Sequence, residues 1–265
     1  MTLRSPLKIF FAVERALFLR EMDMKISVGR SGLFWTFVEP FMQVFIFIAI
    51  RVAILSHTGN SGGGSGYDPA IFMASGFIAF DLFKNILSSS TGAFTANKGL
   101  FAYKQVKPVD TLLARVLVNL FLTSIVVILF LIVGFLLGYT DLLPKNPLMV
   151  FLGLFWLVIF SIGMGLLAAV GNTFFISVGK FLGIISFTLL IFSAVFFPIV
   201  SLPPLAQDLL LYNPLVHFME MIHGYYLHGL DDRFVDYTYM LYWTIIPLFL
   251  GLWFYQKLEK RIISE

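Results

Sequence analysis

Glu220 and His223 come nearest to a spacing that does metal chemistry. In Glu220-Met221-Ile222-His223 a carboxylate and an imidazole stand one helical turn apart, the Glu-x-x-His spacing of di-iron helix bundles, and a homodimer would supply the pair twice. Such a centre needs two further glutamates on adjacent helices. The other glutamate within an apolar run is Glu39, near the opposite membrane face. His217 and His223 are six residues apart, the wrong interval for a two-histidine helical zinc site. The absence of cysteine excludes thiolate sites, cysteine nucleophiles and disulfides. Paired carboxylates and nucleophile–base sets are also lacking, as is a Gly-x-x-x-x-Gly-Lys-Ser/Thr phosphate loop. The glycines of Gly59–Gly66 have no lysine behind them and read as flexible coil. The expectation is a chain with no metal, cofactor or catalytic site, in which His217, Glu220 and His223 are polar partners in a wet outer vestibule.

Charges within apolar runs are the other chemically distinctive groups, since each costs ~2.5–3.5 kcal/mol at mid-membrane. Glu39 and Arg51 are twelve residues apart, ~18 Å along a helix, too far to pair, so each meets a neighbour or snorkels to its own interface. Asp81 and Lys84 are one turn apart; they pair locally or line a polar pathway.

These residues sit on elements sized for a bilayer. Val116–Thr140 contains no charge, and about 20 apolar residues cross ~30 Å of hydrocarbon. Comparable runs give six expected spans, at about 33–55, 70–90, 112–137, 148–170, 179–200 and 237–256. The chain is 59% hydrophobic and 12% charged, half the charge of an ordinary soluble domain, which leaves almost nothing for a soluble catalytic unit. A net charge of +3 is too small to argue for nucleic acid. Residues Met1–Arg30 are punctuated by charges and have no apolar core, so no cleavable signal is expected. Lys and Arg alternate between connections: Lys98, Lys104, Lys107 and Arg115 lie on one side, none in 57–69, and Arg233 alone in 201–236. That alternation puts both termini in the cytoplasm.

Between the spans, residues 1–32 read as a cytoplasmic amphipathic interfacial helix, with Leu3, Leu7, Phe10, Phe11, Leu17 and Phe18 toward lipid. The transmembrane domain then occupies 33–256 and a cytoplasmic tail 257–265. Asn97–Arg115 is basic and aromatic, with a short helix of about two turns expected between Gly99 and Pro108. Its Phe101 and Tyr103 either lie among headgroups or, with Lys104, dock into a cytoplasmic partner. Asn213-Pro214 caps an outer helix to about His228, too short to cross and therefore interfacial or re-entrant.

Three segments, in order, resemble the membrane subunit of ABC-2 type exporters, and within it the capsular polysaccharide export permeases. They are Leu19-Arg20-Glu21-Met22-Asp23-Met24-Lys25 leading to Gly32–Pro40; Asn97-Lys98-Gly99-Leu100 with Val106-Lys107-Pro108; and Phe196-Phe197-Pro198 through Leu202-Pro203 to Asn213-Pro214-Leu215. One departure is Ile26-Ser27-Val28, where the family often carries a tyrosine and a second basic residue. The resemblance implies a half-transporter: two copies of this chain with two separate ATPase subunits that bind ATP and Mg, exporting a long lipid-linked acidic glycan to the periplasm, and it is compatible with a periplasmic adaptor. It implies ATPase contact by Asn97, Lys98, Phe101, Tyr103, Lys104 and Lys107. The cargo path would be lined by Arg51, Asp81, Lys84, His217, Glu220, His223, Tyr225 and Tyr226. O-antigen, teichoic acid and small hydrophobic cargoes stay open within the class. An ion-coupled secondary transporter would need a central intramembrane carboxylate, for which Asp81 is the candidate, and often internal repeats.

Overall fold

The computed structural model describes residues 6–27, 67–136, 142–175 and 177–264, together with the isolated positions 38, 42, 45 and 138. Among these residues every regular element is helical: α1 (Pro6–Ser27), α2 (Pro69–Thr91), α3 (Ala93–Ala96), α4 (Pro108–Leu136), α5 (Pro147–Phe174), α6 (Ser177–Ile191), α7 (Pro204–Leu210), α8 (Pro214–Tyr226) and α9 (Tyr237–Ser264). The expected first span, with Glu39 and Arg51, and the Gly59–Gly66 coil lie outside the described residues.

Local chemistry starts the main helices. Before α2, Asp68 accepts from the amide of Ala70 at 2.7 Å and Pro69 fills the first turn. The pairs Asn146-Pro147 and Asn213-Pro214 repeat the device for α5 and α8, the side chains accepting from Met149 N and Leu215 N. Asp110 accepts from Lys107 N at 2.8 Å at the start of α4.

Among the described residues four helices, α2, α4, α5 and α9, are long and apolar enough to cross a membrane. Their burial sets the layout. The apolar window of α2 is 78% buried against 22% for α4 and α9, so α2 is the central helix and the other two present apolar faces outward. Phe83 of α2 stacks on Phe160 of α5 (5.6 Å), which stacks on Phe218 of α8 (5.1 Å), and Trp156 meets Phe218 edge-on. Each such aromatic pair adds ~0.5–1.5 kcal/mol to area burial. Where α5 passes α9, Gly163 lies against the backbone of Leu248, beside the in-helix Pro247; a Cβ there would stand 2.8 Å from Leu248 N.

The fifth apolar run differs from its expected span of 179–200. Helix α6 stops at Ile191, and 15 residues reach only ~22 Å. The chain then turns through Ala194, in the left-handed region at φ 57°, and reaches a single 3-10 turn at Ile199–Ser201. The reason is packing: Ala194, Val195 and Ile199 are buried in the protein, so this stretch is apolar as core. Helix α6 itself has no buried residue. The basic segment also differs from the two-turn helix expected between Gly99 and Pro108. Helix α3 lies before Gly99, a 3-10 turn spans Lys98–Ala102, and the chain is irregular from Tyr103 to Lys107.

Candidate functional site

Two clusters gather the residues singled out above. The first is the basic turn between α2 and α4. Asn97 is its pivot: buried, its Nδ2 donates to Ala93 O at 3.0 Å and to Glu21 Oε1 at 3.4 Å, and its Oδ1 accepts from Arg20 Nη1 at 2.6 Å. Phe101 is also buried. Neither therefore stands at the surface in this chain; both hold the turn against the rest of the protein. The surface of the turn is made by Lys98, Tyr103, Lys104 and Lys107, with Tyr103 66% exposed.

Behind the turn lies a polar network that sequence reasoning missed. Arg115 of α4 pairs with Glu21 of α1, Nε to Oε2 at 3.2 Å, and its Nη1 donates to Ser89 O of α2 at 2.6 Å. Asn119, one turn further along α4, donates to Ser89 Oγ at 2.7 Å and accepts from Lys25 Nζ at 3.0 Å. Three helices and the turn are thus tied by side chains with little water around them. A signal for this was present: Asn119 is the one amide in the charge-free run Val116–Thr140. Helix α1 also seats Leu17 and rests Phe18 edge-on against Phe121 of α4, while Leu7, Phe11 and Leu19 stay exposed. Of the expected lipid face, then, Leu17 packs inward; Leu3 lies outside the described residues. Burial and the Asp110 carboxyl push Glu14 of α1 up from 4.5 to about 7. Burial lowers Lys25, with Glu21 opposing and Arg115 reinforcing.

The second cluster is at the opposite end of α2, where α8 packs against it. Glu220 Oε1 accepts from Ile199 N at 3.0 Å, anchoring the 3-10 turn to α8. His217 Nδ1 accepts from Asp236 N at 3.1 Å, which leaves the proton on Nε2 to donate to Leu211 O at 2.9 Å. His223 is fully buried and stacks on Phe72 at 3.9 Å, facing Gly76. All three side chains are buried against protein, in contrast to the wet vestibule expected for them, because α8 is covered by α2, α5 and the loops around it. Glu220 and His223 also turn to different neighbours and do not converge on a shared point. Tyr225 and Tyr237 both donate to Asp232 Oδ2, at 2.8 and 2.6 Å, and these hydroxyls, Tyr237 first, hold Asp232 below its usual range. Tyr226 donates to Leu142 O at 2.6 Å. Between the two clusters, Asp81 and Lys84 form the local pair, 2.7 Å apart.

A family model described as ABC-2 type transporter matches residues 15–227, from α1 through α8. The chain is 32% identical over 263 residues to the polysialic acid transport protein KpsM of Escherichia coli, with 99% of each chain covered. It is 28% identical over 265 residues to the capsule polysaccharide export inner-membrane protein BexB of Haemophilus influenzae, covering 98% of this chain and 96% of that one. The corresponding protein CtrC of Neisseria meningitidis is 26% identical over 249 residues, covering 93% and 91%. The match takes in most of the chain, and the relatedness to KpsM runs from end to end: the chain belongs to the ABC-2 type transporter family.

Proposed function

We propose that this chain is the permease subunit of an ATP-driven exporter in a bacterial inner membrane, moving lipid-linked, acidic capsular polysaccharide from cytoplasm to periplasm. The observation that carries this reading is the near end-to-end correspondence with proteins whose names specify capsule polysaccharide export and polysialic acid transport. Two copies enclose the path, and two separate ATPase subunits bind ATP and Mg beneath them. Support for a second copy comes from the apolar outward faces of α4 and α6, where Ile128, Phe135, Phe181 and Phe187 are more than half exposed.

The ATPase docks on the basic turn through Tyr103, Lys104 and Lys107, together with Lys98, and Asn97 and Phe101 position that surface from within. Motion of the turn reaches α1 through Arg20–Asn97 and α2 through Arg115–Ser89. Cargo contacts are assigned to Lys84, Asp81, Tyr225 and Tyr226, with Arg51. His217, Glu220 and His223 shape the outer end of the path by holding α8.

Deletion of the gene should remove the surface glycan and leave it inside the cell, and the wild-type chain should restore export. In the same strain Tyr103→Ala with Lys104→Glu should lower both ATPase co-purification and surface glycan by at least tenfold. A surface glycan unchanged on deletion refutes the export role; unchanged partner recovery refutes the docking assignment.

A further inference from the structure

We propose that Arg20, Lys25 and Arg115 form a binding site for a phosphate-bearing lipid headgroup where α1 meets α4 at the cytoplasmic face. Among the described residues, three cations are joined by hydrogen bonds and an ion pair in one network with one carboxylate, Glu21. Their acceptors are otherwise neutral: Asn97 Oδ1 for Arg20 (2.6 Å), Asn119 Oδ1 for Lys25 (3.0 Å) and Ser89 O for Arg115 (2.6 Å). An amide oxygen satisfies a donor but cancels no charge, so Arg20, Lys25, Arg115 and Glu21 together sum to +2. Arg115 is largely buried and its Nε, although 3.2 Å from Glu21 Oε2, makes no hydrogen bond. Such charge in a partly dry place is costly unless an anion joins it. Burial presses Lys25 toward its neutral form, with Glu21 opposing and Arg115 reinforcing, and an adjacent anion would oppose the shift further.

The surroundings specify an amphiphile. On α1, Leu19 and Met24 are 51% and 39% exposed; on α4, Leu117 and Phe121 are 44% and 47% exposed. Apolar surface on the same two helices that carry the cations suits acyl chains, while Arg20 and Lys25, only half-buried, leave a way in for a phosphate. Guanidinium forks match phosphate oxygens two at a time, and lysine adds a point charge. The two possible sources share this chemistry: a phospholipid of the cytoplasmic leaflet and a glycosylated phospholipid of the kind that anchors a glycan. The site does not depend on the export reading, since a leaflet phospholipid carries the same phosphate whatever the chain transports.

The test is native mass spectrometry of the purified full chain in a non-ionic detergent, titrated with phosphatidylglycerol, a glycosyl-phospholipid, diacylglycerol and inorganic phosphate. Phosphatidylglycerol should be retained on the wild type in preference to diacylglycerol. Lys25→Gln and Arg20→Gln should each weaken it about fivefold, and the double variant about 25-fold. Lys25→Arg should retain it, which separates lost charge from lost fold. Preference for a glycosyl-phospholipid over phosphatidylglycerol would identify the anchor as the source; the reverse order would identify the leaflet lipid. Equal retention of phosphatidylglycerol by the wild type and the double variant overturns the site. Displacement by equimolar inorganic phosphate overturns its lipid character.

Discussion

The ion pair between Glu21 and Arg115 should be what keeps α1 docked, and the chain offers an unusually clean way to measure this. Glu21→Gln preserves shape and one hydrogen-bonding oxygen for Asn97 but removes the charge opposite Arg115. The side chains are 9% and 14% exposed, so the guanidinium that remains cannot reach bulk water without moving helices. Leaving one member of a buried pair unmatched costs ~3–5 kcal/mol, and the residual exposure points to the lower end, ~3 kcal/mol. At 1.4 kcal/mol per decade, that raises the population of undocked α1 about a hundredfold. Because the chain has no cysteine, a single Leu17→Cys on the buried face of α1 is a unique reporter. Its modification rate by a maleimide should increase about a hundredfold when Glu21→Gln is added. In the double-mutant cycle with Arg115→Gln, the coupling should be ~1–3 kcal/mol, since the second change removes the orphaned charge. A change in rate below threefold, or strict additivity of the two substitutions, would show that packing of Leu17 and Phe18 alone retains α1.

Three further outcomes follow from individual contacts. Glu14 keeps its proton in the folded chain up to about pH 7 but only to 4.5 when exposed, so α1 docking should weaken as pH rises through that window, by up to ~3 kcal/mol; Glu14→Gln should flatten the pH dependence of Leu17→Cys labelling and be the more protected protein at pH 8. Gly163→Ala places a Cβ 2.8 Å from Leu248 N, a backbone atom that cannot rotate away, and should cost ~1–3 kcal/mol in thermal stability, whereas Gly183→Ala on α6, with nothing within 4 Å, should cost nothing. Asn213→Ala loses the cap bond to Leu215 N and the Nδ2 donations to Phe192 O and Ser193 Oγ, and should lower stability by ~2 kcal/mol, seen as faster proteolysis between α6 and α8.

What the sequence disclosed depended on whether a residue's role was local. Asn213-Pro214 announces a helix start through one side chain and one fixed φ, and α8 begins there as expected. The charge-free run from Val116 is likewise a property of the segment itself, and α4 contains it as far as Leu136. Residues 192–200 misled because apolarity has two causes; a side chain facing lipid and one facing protein read alike, and Ala194, Val195 and Ile199 face protein. His217, Glu220 and His223 suggested water because they are polar, yet each is satisfied or stacked by atoms up to 151 positions away, such as Phe72 against His223. Arg115 read as a loop cation through its proximity to Lys104 and Lys107. Its partners Glu21 and Ser89 lie 94 and 26 positions back, beyond any periodicity.

The same geometry bears on how the two ends of the molecule communicate. Helix α2 touches the Arg115 network at Ser89 and α8 at Phe72 and Gly76, with Ser89 and Phe72 17 residues or ~25 Å apart. Between these points it is packed on α5 and carries its own charge pair, so no side chain offers a soft joint: Phe72, Phe77, Phe80, Phe83 and Ile86 are all essentially buried. A close-packed helix of this kind moves as a body and does not absorb a push locally. Displacement of the basic turn, transmitted through Arg115 to Ser89, therefore has to appear at His223 and α8, or the Arg115–Ser89 contact has to break. Arg115 is consequently a fuse as well as a strut, and the strength of its pairing with Glu21 decides which behaviour prevails.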